Sequence, residues 1–282
     1  MSTVIKAKGL SKAYGKSKVL DGVNFNIEAG RIVGLIGPNG AGKTTALRCL
    51  LGLSSCDGEL SVLGLDPRKQ RTELLKQVCF IADTAILPQW LKVSQAIEFL
   101  EGVHPNFNVD KAREFLAKTN IEPHKKVSQL SKGMITQLHL ALVMAIDVKV
   151  LVLDEPTLGL DILYRKQFYT TLLNDYFDEE RTIIITTHQV EEVEGLLTDL
   201  IFIKNGRLIL EAEMENIEAQ FVELEVRGES VEHARTLGPI SERSVLGGSA
   251  FIFENGDQKS LAELGKIRTP SIVDLFVAKM QA

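Results

Sequence analysis

The chain has 282 residues, 45% of them hydrophobic and 24% charged, with a formal net charge of -5 and a pI near 5.7. That balance fits a globular protein with a substantial core, excludes a disordered or fibrous one, and supplies no general attraction for nucleic acid or an anionic membrane surface. Cys49, Cys56 and Cys79 lack Cys-x-x-Cys spacing and are too few for a disulfide framework, which points to reduced thiols in the cytoplasm. The first residues lack the apolar stretch of a signal peptide and no run resembles a membrane span, so membrane attachment is expected only through a partner.

In chain order, residues 4–10 and 23–27 read as short strands with turn residues Tyr14-Gly15-Lys16 and Asp21-Gly22 between them, predicting a small antiparallel sheet. Residues 31–36 read as a buried strand that runs into a glycine-rich loop, and residues 44–51 as the helix after it. From 88 to about 146 strand signals are sparse, while 94–102, 110–119 and 133–146 have helical character, which predicts a helical insertion at about 88–148. The branched apolar runs 150–153 and 182–187 are typical of central parallel strands covered on both faces. A helix over 163–177 should join them. Asn205-Gly206 predicts a hairpin turn between 200–204 and 207–210. The character shifts near 215, so domains are expected at 1–215 and 216–282, the second holding strands at 221–226 and 250–253 and a last helix at 271–279.

The loop Gly37-Pro38-Asn39-Gly40-Ala41-Gly42-Lys43-Thr44-Thr45 carries the first chemistry. Its glycines let backbone N–H groups wrap phosphates, Lys43 supplies positive charge near the β and γ groups, and the Thr44 hydroxyl can ligate Mg2+. The helix that follows aims its N-terminal donors and dipole at the same anion. Asp154 and Glu155 end the apolar run 150–153 at a parallel strand's carboxyl end, the edge that faces ligand. One acid there can hold the magnesium shell and the other can orient or deprotonate the attacking water. His188 follows a second such strand, within reach of a γ-phosphate.

With these motifs in order, residues 4 to about 215 resemble the ATP-binding cassette (ABC) ATPases. The resemblance extends to Leu130-Ser131-Lys132-Gly133-Met134, similar to the family's signature sequence, and to Leu158-Gly159-Leu160-Asp161, similar to its loop after the catalytic acid. It implies an α/β fold: a P-loop NTPase core with a mainly parallel sheet, an N-terminal antiparallel β subdomain, an inserted helical subdomain and a small C-terminal α+β extension. It also implies that Tyr14 stacks on adenine and that Ser131, Lys132, Gly133 and Met134 bind ATP held by an opposing subunit. Asp161 then lies in the dimer loop of a head-to-tail dimer, expected to be a homodimer because one complete set of motifs is present.

The sequence departs from the family pattern at three places. The glutamine expected between core and helical parts falls at Asp83, which keeps an oxygen able to approach magnesium but adds negative charge beside the phosphates; Gln89 is the other candidate, six positions late. Lys132 replaces a glycine and Met134 a glutamine, variants similar to those of bacterial exporters whose ATPase pairs with a separate membrane polypeptide. The segment Thr269-Pro270-Ser271-Ile272-Val273-Asp274-Leu275-Phe276 is similar to the C-terminal segment of drug and lipid exporter ATPases. The expectation is an ATPase peripheral on the inner face of the cell membrane, docked on a transmembrane permease, with indirect membrane contact and no nucleic acid. Two alternatives stand beside it: a nucleotide-dependent clamp on nucleic acid or ribosome, and a weakly hydrolysing regulator.

Overall fold

Alternating burial builds an N-terminal hairpin from β1 (Thr3–Tyr14) and β2 (Ser17–Glu28), in which Ile5, Ala7 and Leu10 face Leu20, Val23, Phe25 and Ile27. The computed structural model describes residues 2–82 and 87–281. The turn expected at Asp21-Gly22 is instead a bulge inside β2. Gly22 takes φ +65° and donates its N–H to Ser11 Oγ at 2.9 Å, and the ladder slips between the pairs Leu10–Val23 and Lys12–Leu20. Both strands therefore run several residues longer than expected.

The chain continues through β3 (Ile32–Ile36), α1 (Lys43–Leu50), β4 (Asp57–Val62), the short α2 (Arg71–Leu74) and β5 (Val78–Ile81). Neither β4 nor β5 was anticipated from sequence. β4 pairs antiparallel with β1, so the first sheet has the order β2-β1-β4. Between β5 and β6 (Val150–Asp154), parallel neighbours in the main sheet, lie α3 (Val93–Val103), α4 (Val109–Ala117) and α5 (Lys132–Met144). These three helices share a core that includes Val93, Ile97, Leu116 and Leu138, as the helical insertion requires.

After β6 come α6 (Ile162–Thr171), β7 (Thr182–Thr187), β8 (Asp199–Lys204) and β9 (Arg207–Glu213). The six-stranded sheet has the order β5-β6-β7-β3-β8-β9, parallel except for the β8-β9 hairpin at Asn205-Gly206. Every residue of β3, β6 and β7 is buried, which explains why residues 150–153 and 183–185 are apolar on both faces rather than alternating. The helix expected over 163–177 stops at Thr171 and widens into a π turn, Leu172–Tyr176. That turn buries both Leu172 and Tyr176, whose hydroxyl donates to Ile146 O at 3.1 Å.

The remaining elements are α7 (Met214–Gln220), β10 (Phe221–Arg227), α8 (Ser230–Thr236), β11 (Ser241–Val245), β12 (Gly248–Glu254), α9 (Gln258–Leu264), β13 (Lys266–Arg268) and α10 (Ile272–Gln281). They form an antiparallel sheet of order β11-β12-β10-β13. Val222, Leu224 and Val226 of β10 pack on Ala234 of α8 and Leu261 of α9. Glu223 points the other way and is only 1% exposed, with its carboxylate between Arg243 and Arg268. This pairing is what lets a carboxylate occupy a buried strand position.

α10 joins this sheet to the six-stranded one. Its Ile272 and Leu275 enter the same core as Phe202, the Phe276 ring meets Phe202 edge-on at 5.2 Å, and Lys279 pairs with Glu254 at 2.7 Å. Leu275→Ala should lower stability by about 2–5 kcal/mol, whereas Val277→Ala, at an exposed site of the same helix, should change it by less than about 0.5 kcal/mol. Urea unfolding of the two variants checks this.

Candidate nucleotide site

Parallel register brings the carboxyl ends of β3, β6 and β7 to one edge of the sheet, with the glycine loop leaving β3, Asp154 and Glu155 ending β6, and His188 following β7. The loop requires glycine at positions 37, 40 and 42. Gly40 and Gly42 have φ of +81° and +109°, and a Cβ on Gly37 would come within 2.4 Å of Ile203 O. α1 starts at Lys43 without a side-chain cap or an acid in its first turn, so its first N–H groups and its dipole are left for an anion.

Lys43 is 8% exposed and donates to Gly37 O at 2.6 Å and Pro38 O at 3.3 Å. Burial pushes its pKa below the usual lysine value, opposed by the negative fields of Glu155 and Asp154. A buried ammonium whose direct partners are two neutral carbonyls is matched to a phosphate.

Asp154 is 3% exposed and accepts hydrogen bonds from Thr44 Oγ1 at 2.9 Å and Thr186 Oγ1 at 2.5 Å. The carboxylate and the Thr44 hydroxyl form a hard-oxygen pair of the kind that holds Mg2+ together with phosphate oxygens. Glu155 has φ +50°, a conformation that costs a non-glycine residue about 1 kcal/mol or more. Thr186 holds it there, because both its carbonyl and its hydroxyl accept from Glu155 N at 3.1 Å. The bend turns the Glu155 carboxylate toward His188, whose Nδ1 lies 2.8 Å from Glu155 Oε2. His188 itself is half exposed.

Residues 39–45, Asp154 and Glu155 line one cleft of about 210 Å3. Val19 of β2 lines it too; nothing in its local sequence signals this, because a hairpin residue reaches the loop only through the fold. Thr186 was also missed, although a threonine pair closing an apolar strand opposite two acids is a readable signal. Tyr14 lies outside that lining: it is exposed, with its hydroxyl 3.4 Å from Ser54 Oγ and Lys12 Nζ 5.0 Å from its ring centroid.

The signature residues gather elsewhere. Ser131 caps α5 by accepting from Met134 N at 3.2 Å, and Asp161 caps α6 by accepting from Leu163 N and Tyr164 N at 3.0 and 3.1 Å. Ser131, Gly133, Met134 and Asp161 line a second cavity of about 370 Å3. Lys132 crosses Gly159, where its Cε would lie 3.0 Å from an added Cβ, and it shares a third cavity with Glu155 and His139. Within one chain the signature and the phosphate loop thus line separate cavities. Asp83 lies outside the described residues; Gln89 is exposed ahead of α3, its carbonyl accepting from Ser128 N at 3.0 Å.

A mainly parallel sheet with a glycine loop between β3 and α1, and an acid pair ending β6 on the far side of β7, defines a P-loop nucleoside-triphosphate-binding protein. The ABC transporter family profile matches residues 20–158. The chain is 32% identical over 270 residues to the Nod factor export ATP-binding protein I of Cupriavidus metallidurans, covering 90% of this chain and 86% of that one. It is 31% identical over 221 residues to the bacitracin transport ATP-binding protein BcrA of Bacillus licheniformis, covering 77% and 72%. A solved ATP-binding subunit of an ABC transporter shares the fold with a TM-score of 0.70 at 24% identity, over 76% of this chain and 92% of that one. The chain belongs to the ABC transporter ATP-binding family, and its fold is that of the family's ATPase unit.

ATP at about 100 times its dissociation constant should raise the melting temperature of the chain by about 5–10 °C. Differential scanning fluorimetry of Lys43→Ala should show that shift abolished, with the nucleotide-free melting temperature within a few degrees of the parent.

Proposed function

We propose that the chain is the ATP-hydrolysing subunit of an exporter, docked on a separate transmembrane permease. The observation that carries this reading is the meeting, beside the phosphate loop, of the Thr44–Asp154 pair with the Glu155–His188 pair. Two relatives support the export direction: the Nod factor export protein above, and the SkfA peptide export ATP-binding protein SkfE of Bacillus subtilis, 33% identical over 77% of this chain. No helix among the described residues is long and apolar enough to cross a membrane, so the reading assigns the membrane path to the partner. The chain would then sit at the cytoplasmic face. Nothing in these relatives' names favours the clamp alternative.

In this reading the loop residues 37–45 wrap the triphosphate and Lys43 neutralises its β and γ groups. Thr44 and Asp154 would hold Mg2+, which would supply charge neutralisation on the phosphates when bound, and Asp83, at the position of the family's glutamine, is the third residue assigned to it. Glu155 orients the attacking water and accepts its proton. His188 fixes the Glu155 carboxylate and faces the γ-phosphate, and Tyr14 stacks on adenine. Two chains meet head to tail, so that Ser131, Lys132, Gly133 and Met134 of each bind the ATP held by the other, with the Asp161 loops between them. The helix N-terminus at Ser131 and the separate signature cavity fit a phosphate supplied from outside the chain. Residues 1–215 form the ATPase unit and 216–282 a small appended domain fastened through α10.

Glu155→Gln should retain ATP binding and lower steady-state turnover by about 100-fold or more, the usual range for a general base, while a dimer accumulates in ATP. Phosphate release and light scattering read the two effects, and unchanged turnover removes Glu155 from the role.

A further inference from the structure

Residues 189–196, directly after His188, form two short 3-10 turns, Val190–Glu192 and Glu194–Leu196, closed by bonds from Glu192 N to Gln189 O, Val193 N to Val190 O and Leu196 N to Val193 O. A side chain from α6 ties them to the loop before that helix. Arg165 is 19% exposed, and its guanidinium reaches three acceptors in three places. Nε donates to Leu160 O at 2.8 Å, while Nη1 donates to Gln189 Oε1 and, at 2.7 Å, to Glu192 Oε1. Leu160 directly precedes Asp161, and Gln189 directly follows His188.

Two further features make this more than a surface ion pair. The second carboxylate oxygen of Glu192 is buried and has no hydrogen-bond partner among the described residues, so Arg165 carries the compensation of that charge. Arg165 also stands one turn beyond Asp161, with its N–H donating to Asp161 O at 3.0 Å, so the guanidinium belongs to the same helical turn as the cap. On the opposite side the segment is fastened to α10, where Ile272 N donates to Glu194 Oε1 at 3.3 Å and Val190 and Val193 share a core with Leu275.

We propose that Arg165 is a positioning residue for ATP hydrolysis: its planar fork ties the loop ending in Asp161 to Gln189, and so seats His188 against Glu155 when that loop is in place. Nε serves Leu160 O and Nη1 serves Gln189 and Glu192, so the contacts use two nitrogens held at a fixed separation in one plane, which a single ammonium nitrogen does not reproduce. A displacement of residues 158–161 is thereby passed to the histidine without any residue moving independently. The inference rests on the catalytic reading of the Glu155–His188 pair given above.

Hydrolysis by the purified full-length chain under single-turnover and steady-state conditions, with thermal unfolding in parallel, tests it through Arg165→Ala, Arg165→Lys, Gln189→Ala, His188→Ala and the Arg165→Ala/His188→Ala double variant. Arg165→Ala should lower kcat by about 10-fold or more with KM for ATP within about twofold, the pattern of a misplaced catalytic group rather than of weakened nucleotide binding. Arg165→Lys should recover only part of the rate, and the double variant should be no slower than His188→Ala alone. If Arg165→Ala fails to fold, Gln189→Ala, which keeps the Arg165–Glu192 pair, carries the test: a kcat loss in the parent background and none in the His188→Ala background. Parental kcat in Arg165→Ala, or losses that multiply in the double variant, would overturn the inference while leaving the ATPase assignment in place. A His188→Ala chain as fast as the parent would overturn both the histidine's role and this inference.

Discussion

Asp154 is a carboxylate buried at the end of a fully buried strand, and an ionised group in that position is tolerated only where it is hydrogen-bonded and partnered. Its partners define the architecture. Thr186 comes from β7, directly opposite in the parallel register, and Thr44 comes from the first turn of α1. The one carboxylate therefore ties the ends of two strands to the helix that follows the glycine loop.

The same threonine also bends the chain. Thr186 accepts the Glu155 N–H with both its oxygens and so stabilises a left-handed φ that glutamate does not adopt on its own account. Backbone strain at Glu155 is thereby balanced by a residue that also holds Asp154, and its result is a carboxylate that leaves the strand direction to meet His188. Pre-organisation of this kind costs stability locally and removes reorganisation later, when charge develops on a bound phosphate.

Around this fixed centre the structure distributes its adjustable parts. Lys43 waits with two backbone carbonyls as its direct partners among the described residues, the signature residues Ser131 and Gly133 open into a cavity of their own, and Arg165 links the Asp161 loop to the segment after His188. α10 extends this path to the C-terminal sheet, since it shares one core with Phe202 and Val193 and an ion pair with Glu254. A change at either end of the path meets the same short 3-10 turns.

The sequence by itself determined the phosphate loop, the acid pair, the helical stretch before it and the buried strands, because each rests on local chemistry: glycine at positive φ, a lysine beside a helix start, branched apolar runs that end in charge. It also carried the hairpin at Asn205-Gly206, a turn that needs left-handed residues at both positions. What it could not carry were relations set by distance in space. β4 becomes a strand by pairing with β1, the expected turn at Gly22 becomes a bulge because the longer ladder absorbs an extra residue, and the helix after Asp161 widens at Leu172 to bury Tyr176. Likewise Val19, Thr186 and Arg165 gain their places from register and packing, where ordinary residue types become partners of the site only when three strand ends and α6 converge.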